Sequence, residues 1–255
     1  MYVIYMNEKE LIEYYNKHNE DKRLLTKHAN IEFITALKYI HEYIKEGNTI
    51  LDVGAGTGRY SKVLQDEGYD VTAVELVKHN LRYIEDKGIK CYQGNATDLS
   101  RFKDNSFDIV LLFGPMYHLL SMEDKVKALE EAKRVSKKYI FISYCMNEFA
   151  IIYHGFMDGY IKDDIKNIDD NFKILNDNDN LYSYVRIEDI NYLKDTCNLK
   201  RVKIINQDGP TEYIKNIVNK MDDDTYQLFI KYHLSTCERP ELLGTGRHIL
   251  DILEK

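Results

Sequence analysis

The densest chemical signal in the chain is Leu51-Asp52-Val53-Gly54-Ala55-Gly56-Thr57-Gly58. Gly54, Gly56 and Gly58 let a backbone turn sharply and approach a ligand without Cβ obstruction, and a helix starting behind them offers unpaired N–H groups. A glycine-rich turn with no ligand is the plain alternative, but a strand-turn-helix context favours a nucleotide-type ligand. A dinucleotide fingerprint would need its third glycine at position 59, which is Arg59. The next landmark is Glu75, which closes the apolar run Val71-Thr72-Ala73-Val74. An acid at a strand's C-terminal end can accept hydrogen bonds from both hydroxyls of a ribose. Such an acid also serves as a helix N-cap or a solvated strand end, and it occurs in nicotinamide enzymes, so Glu75 alone does not discriminate.

A second cluster, Gly114-Pro115-Met116-Tyr117-His118, follows the fourth apolar run, Phe107 to Phe113. Open α/β sheets place catalytic groups at this carboxyl edge. His118 is the one imidazole expected there, and an ordinary pKa of about 6.5 suits a general base. A histidine beside a strand end also commonly bonds the backbone or stacks on a purine. Tyr117 is the candidate for shaping the substrate.

The GxGxG spacing with an acid two residues ahead resembles motif I of the class I S-adenosylmethionine-dependent methyltransferases. That resemblance covers residues 48 to 144 well and extends to the terminal elements. It implies that Gly54, Gly56 and Gly58 border the amino-acid and ribose portions of S-adenosyl-L-methionine, Glu75 the ribose, and Asn95 with Ala96 the adenine. Asp52, Ala55, Leu76, Phe113 and Gly114 are expected among the cofactor-binding residues as well. Family members usually read Gly-Asp-Ala where this chain has Gly94-Asn95-Ala96. The Asn95 amide oxygen can still accept from an adenine amine, without charge assistance, or the segment is an Asx turn. Gly114-Pro115-Met116-Tyr117-His118 is similar to the Gly-Pro-Leu-Tyr-His loop of small bacterial methyltransferases. It only partly matches the Asp-Pro-Pro-Tyr loop of amino-methylating nucleic-acid enzymes, because Gly114 has no side chain to accept from a target amine. Asp108 is common to the family and is expected to support strand and loop geometry.

The elements that must position these residues follow from periodicity. Phe33, Leu37, Ile40 and Ile44 recur at helical spacing before Gly47, which is placed to be a C′ residue. From Asn48, short apolar runs near 49–53, 71–74, 89–92, 107–113 and 139–144 alternate with amphipathic stretches, a βαβ rhythm. The rhythm gives an open parallel α/β layer, and the methyltransferase resemblance implies the rest of the α/β fold: a Rossmann-like, doubly wound, seven-stranded sheet, mostly parallel with an antiparallel C-terminal strand at His248 to Leu253. We read residues 1–255 as a single methyltransferase domain, with an N-terminal helical cap over 1–47 that carries Tyr14, Tyr15, Arg23 and Phe33. The cofactor-binding core spans 48–144, an insertion or lid 145–186, and the C-terminal part of the sheet with its helices 187–255. Asp158 to Asn180 holds seven Asp and five Asn against three Lys, so this stretch reads as solvated and loosely ordered.

Composition bounds the function. The 255 residues are 44% hydrophobic, which is globular, and no apolar run approaches the ~20 residues of a membrane span. The net charge of -7 argues against a general nucleic-acid surface, which needs clustered Lys and Arg. Most of that acidity lies after residue 144 and points to a neutral or cationic substrate. Cys91, Cys145, Cys197 and Cys237 contain no CxxC pair and read as free thiols, and no secretory leader is written at the N-terminus. A cytoplasmic enzyme is expected, with a small-molecule methyl acceptor, S-adenosyl-L-methionine as cofactor and no metal. The nucleophile would be oxygen or nitrogen, with His118 and Tyr117 facing the methyl group. Two alternatives are a nicotinamide-dependent oxidoreductase and a non-catalytic adenosyl-ligand-binding protein.

Overall fold

The computed structural model describes residues 12–15, 25–175 and 181–255; Arg23 and the end of the acidic stretch lie outside them. After a helical turn over residues 12–15 come helix α1 (Lys27–Tyr43), strand β1 (Thr49–Val53), α2 (Arg59–Asp66), β2 (Asp70–Glu75), α3 (Lys78–Asp86) and β3 (Lys90–Gln93). The chain continues through β4 (Phe107–Leu112), α4 (Met122–Val135), β5 (Ser136–Met146), β6 (Tyr184–Val185) and α5 (Ile187–Thr196). It ends with β7 (Lys200–Asn206), α6 (Asp223–Thr236) and β8 (His248–Glu254).

The strands form one sheet in the order β3-β2-β1-β4-β5-β8-β7, with the two-residue β6 pairing beside the end of β5. Strands β1 to β5 pair in parallel, whereas β8 runs antiparallel to both β5 and β7, as expected for the last strand. The strands read as continuous apolar runs because both faces are covered. Successive residues divide between two cores. Leu51, Val53, Val110, Leu112, Ile140 and Ile142 pack with α4 and α5, while Ile50, Ile109, Leu111 and Phe141 pack with α1 and α2.

Strand order reverses between β1 and β4. Their carboxyl ends therefore open a crevice, the usual ligand position in such sheets. At the opposite end, Asp108 accepts hydrogen bonds from the Thr49 N–H (2.9 Å) and hydroxyl (2.8 Å), clamping β4 to β1 in the supporting role expected of it.

Two local expectations change. Helix α1 ends at Tyr43 because Ile44 turns extended to bury its side chain; Gly47, at φ +78°, instead serves the turn that enters β1. The insertion is more ordered at its start than its composition suggests. Cys145 and Met146 complete β5, and the helical run that follows buries Phe149, Ala150 and Ile151. Buried Asn147 then ties down the returning chain, donating to the Phe172 carbonyl (2.9 Å) and accepting from the Ile174 N–H (2.8 Å).

Candidate active site

The crevice is built first from backbone. Beyond β1 the Gly54 and Ala55 N–H groups both donate to the Val74 carbonyl (2.8 and 3.1 Å), hooking the glycine loop over the end of β2. Gly54 sits at φ +72°, and a Cβ there would lie 2.6 Å from the Pro115 Cδ. A Cβ on Gly114 would lie 2.8 Å from the Gly54 carbonyl oxygen. The loops after β1 and β4 thus interlock through positions that only glycine can occupy. Gly114 is a packing requirement here, which explains why this loop carries no acidic side chain at that point.

Side chains then fix the loop. Buried Asp52 accepts from the Ser61 hydroxyl on α2 (2.6 Å), and burial pushes its carboxyl up to about 6. Glu75 accepts from the Gly56 N–H at Oε2 (2.8 Å) and from the Val77 N–H at Oε1 (2.9 Å). Burial outweighs these bonds and raises the Glu75 carboxyl to about 7. Asn95 Oδ1 accepts from the Thr97 N–H and hydroxyl (3.0 and 3.1 Å), so the segment is an Asx turn. A buried cation holds the second cluster: Lys125 on α4 donates from Nζ to the Met116 carbonyl (2.7 Å) and to the Leu119 carbonyl. Its burial lowers the ammonium to about 7. Helix α4 itself starts at Ser121, whose Oγ accepts from the Asp124 N–H (3.0 Å).

One cavity of about 720 Å³ runs along this edge. Its first part is walled by Asp52, Gly54, Ala55, Gly56, Glu75 and Leu76, and then by Asn95, Ala96, Phe113 and Gly114. Tyr117 and His118 lie farther along, so the structure brings together every sequence-predicted site residue except Gly58. Gly58 is instead the left-handed N-cap of α2 (φ +79°), where a Cβ would press on Ile84 at 3.1 Å.

At the far end the walls are side chains from distant segments: Tyr15, Glu32, Tyr182, Arg247 and His248. His118 donates from Nδ1 to the Leu181 carbonyl (3.1 Å), since a carbonyl can only accept. In the neutral ring Nε2 is then the acceptor, and it meets the Tyr15 hydroxyl at 2.9 Å. The Tyr117 ring stands 4.8 Å from His118 and 6.0 Å from His248 between centroids.

Sequence reasoning missed Glu32, Tyr182, Arg247 and His248 as site residues. The available signal was buried polarity in apolar contexts: Glu32 on the apolar face of α1, and a histidine opening the last strand.

Comparison with known proteins agrees with this geometry. Residues 51–141 match the family described as a methyltransferase domain. Among curated relatives, the demethylmenaquinone methyltransferase of Paenarthrobacter aurescens is 39% identical over 99 residues, 37% of this chain and 36% of that protein. A 23S rRNA uracil C5-methyltransferase of Pyrococcus abyssi is 26% identical over 121 residues, 46% of this chain and 28% of that protein. Among solved structures, a SAM-dependent methyltransferase of Thermotoga maritima, described as a possible histamine N-methyltransferase, superimposes with a TM-score of 0.57 at 20% identity. That match covers 98% of each chain. The matched stretch, residues 51–141, supports a class I S-adenosylmethionine-dependent methyltransferase domain, and the glycine loop and the sheet order agree with it. The match spans little more than a third of the length of its first curated relatives. No helix among the described residues is long and apolar enough to cross a membrane.

Proposed function

We propose that this protein is an S-adenosylmethionine-dependent methyltransferase acting on an oxygen or nitrogen nucleophile of a small molecule. The observation that carries the reading is the single cavity joining the glycine loop and Glu75 to an aromatic, histidine-lined end. Its volume suits a nucleoside-sized ligand with a small acceptor beside it. The near end fits the cofactor on its own terms. Among the described residues, no atom beyond Gly56 and its chain neighbours lies within 4 Å of where a Gly56 Cβ would stand, so that stretch of backbone is open to a ligand, and a buried carboxylate waits at the end of β2.

Gly54, Ala55 and Gly56 would hold the amino-acid and ribose portions, Glu75 the ribose hydroxyls, and Ala96 the adenine. Because Asn95 Oδ1 already accepts two bonds within its turn, we assign Asn95 to shaping the adenine pocket. When bound, the sulfonium supplies an electrophilic methyl group, so the chain must chiefly align a nucleophile and remove its proton. Tyr117 shapes the acceptor site. His118 does not face the acceptor directly, since its Nε2 takes the Tyr15 hydroxyl; it draws the acceptor's proton by way of Tyr15. A small molecule is favoured over nucleic acid because the acceptor end is lined by Tyr15, Tyr182 and Tyr117 and lies in a chain of net charge -7.

Calorimetric titration with S-adenosylmethionine, S-adenosylhomocysteine and NADH tests this. Micromolar binding of both adenosyl ligands without NADH binding is expected. Failure of either adenosyl ligand to bind at millimolar concentration overturns the reading, and NADH binding would favour the oxidoreductase.

A further inference from the structure

The acceptor end contains a built polar device that the proton path through His118 does not use. His248, the first residue of β8, is buried and lines the cavity. Its Nδ1 donates to Asp208 Oδ2 (2.8 Å), while Asp208 Oδ1 accepts from the His248 N–H (3.1 Å). This two-point hold fixes the ring. It depends on Gly246, where a Cβ would lie 2.6 Å from Asp208 Oδ1 and 2.8 Å from the Gly209 carbonyl oxygen.

A second carboxylate, Glu32 on α1, has its Oε2 3.6 Å from the same Nδ1. Both acids therefore stand on one side of the ring. Burial works against protonation of this imidazole, but Glu32, the Cys145 thiol and Asp208 outweigh it and raise His248 to about 10. The other nitrogen, Nε2, has no hydrogen-bond partner among the described residues. Tyr117 faces the ring from the loop after β4, Cys145 pairs with His248 across β5, and Arg247 precedes it in the cavity wall.

We infer that His248, held by Asp208 and Glu32, is an acceptor-binding residue whose Nε2–H donates to an acidic hydroxyl oxygen, so that the methyl acceptor is of the phenol or enol class. This rests on the methyltransferase reading above and narrows it from oxygen or nitrogen to oxygen. An imidazolium is a poor base for an ammonium group but a strong donor to a developing oxyanion. In the reaction the acceptor's O–H bond breaks and its proton passes through Tyr15 to His118 Nε2. An O–C bond then replaces the donor's S–C bond, whose electron pair stays on sulfur.

The test uses the full chain loaded with S-adenosylhomocysteine, whose binding is measured first; absence of that binding sinks the methyltransferase reading and this proposal with it. 4-Nitrophenol is then titrated in at a pH below its own ionisation, its visible band reporting phenolate. The expected result is that bound probe is phenolate and that His248→Gln weakens it about 10- to 100-fold, with S-adenosylhomocysteine affinity within threefold of wild type. Asp208→Asn should give an intermediate loss. Binding of the probe as neutral phenol, equal binding by wild type and His248→Gln, no binding, or preference for benzylammonium over the phenol each overturns it. If the variants do not fold, the wild-type spectrum and the benzylammonium comparison decide.

Discussion

The two ends of the cavity are made in different ways. The cofactor end is backbone and short-range turns within residues 52–98: glycines at positive φ, an Asx turn, and a glutamate two residues from one of its partners. The acceptor end is assembled by side chains from the N-terminal turn, α1, the loop after β4, the segment before β6 and the start of β8. Backbone geometry is insensitive to sequence outside a few positions, so the first end depends on a short local pattern. Side chains contributed by separate segments can change one at a time, so the second end is free to define an acceptor.

Substitutions can break or sharpen this contrast. Gly54→Ala should strike both ends, because it strains a left-handed residue and drives a methyl group into Pro115. We expect S-adenosylhomocysteine affinity to fall on the order of 100-fold by calorimetry, with a lower melting temperature. Lys125→Met should leave two buried carbonyls without their donor and destabilise the chain by about 2–4 kcal/mol in denaturant unfolding. Cofactor affinity should change little, while the imidazole NMR signals of His118 shift, because the loop carrying it is released. Unchanged His118 signals would refute that role.

Glu75→Gln should affect only the cofactor end, weakening S-adenosylhomocysteine about 10- to 100-fold. It also carries a pH signature. Glu75 and Asp52 both hold protons more tightly folded than unfolded, so between about pH 4 and 7 the folded state binds more protons and stability falls as pH rises. Thermal melts of the ligand-free protein should show this decline, and Glu75→Gln should flatten it. The smallest effect expected is that of Ser121→Ala, about 1 kcal/mol from a lost helix cap, with binding at both ends retained.

Much of the first end was legible in the order of residues. Gly54, Gly56 and Glu75 are spaced by the geometry of one βαβ unit, and the apolar runs of β1, β2 and β4 give away a sheet covered on both faces. Gly58 caps α2 and stands outside the cavity lining; a positive φ is demanded equally by ligand approach and by helix packing, and sequence does not distinguish them. His118 lines the cavity, but its partners Tyr15 and Leu181 come from distant segments, so its hydrogen bonds could not be read from the sequence.

The overall charge says less about individual groups: the acidity lies mostly after residue 144, but the two carboxylates that meet at the Nδ1 edge of His248 come from α1 and from the loop after β7. Sequence alone determined the α/β order and the nucleotide-type loop, because these follow from local conformational limits and hydrophobic period; the antiparallel last strand came from the family resemblance. Tertiary structure alone decided that α1, the loop after β4 and the start of β8 meet at one cavity, and therefore which histidine bonds a tyrosine and which a carboxylate. Local rules act over a few residues, whereas Glu32, Asp208 and His248 are neighbours only because the folded sheet and its cap bury them together.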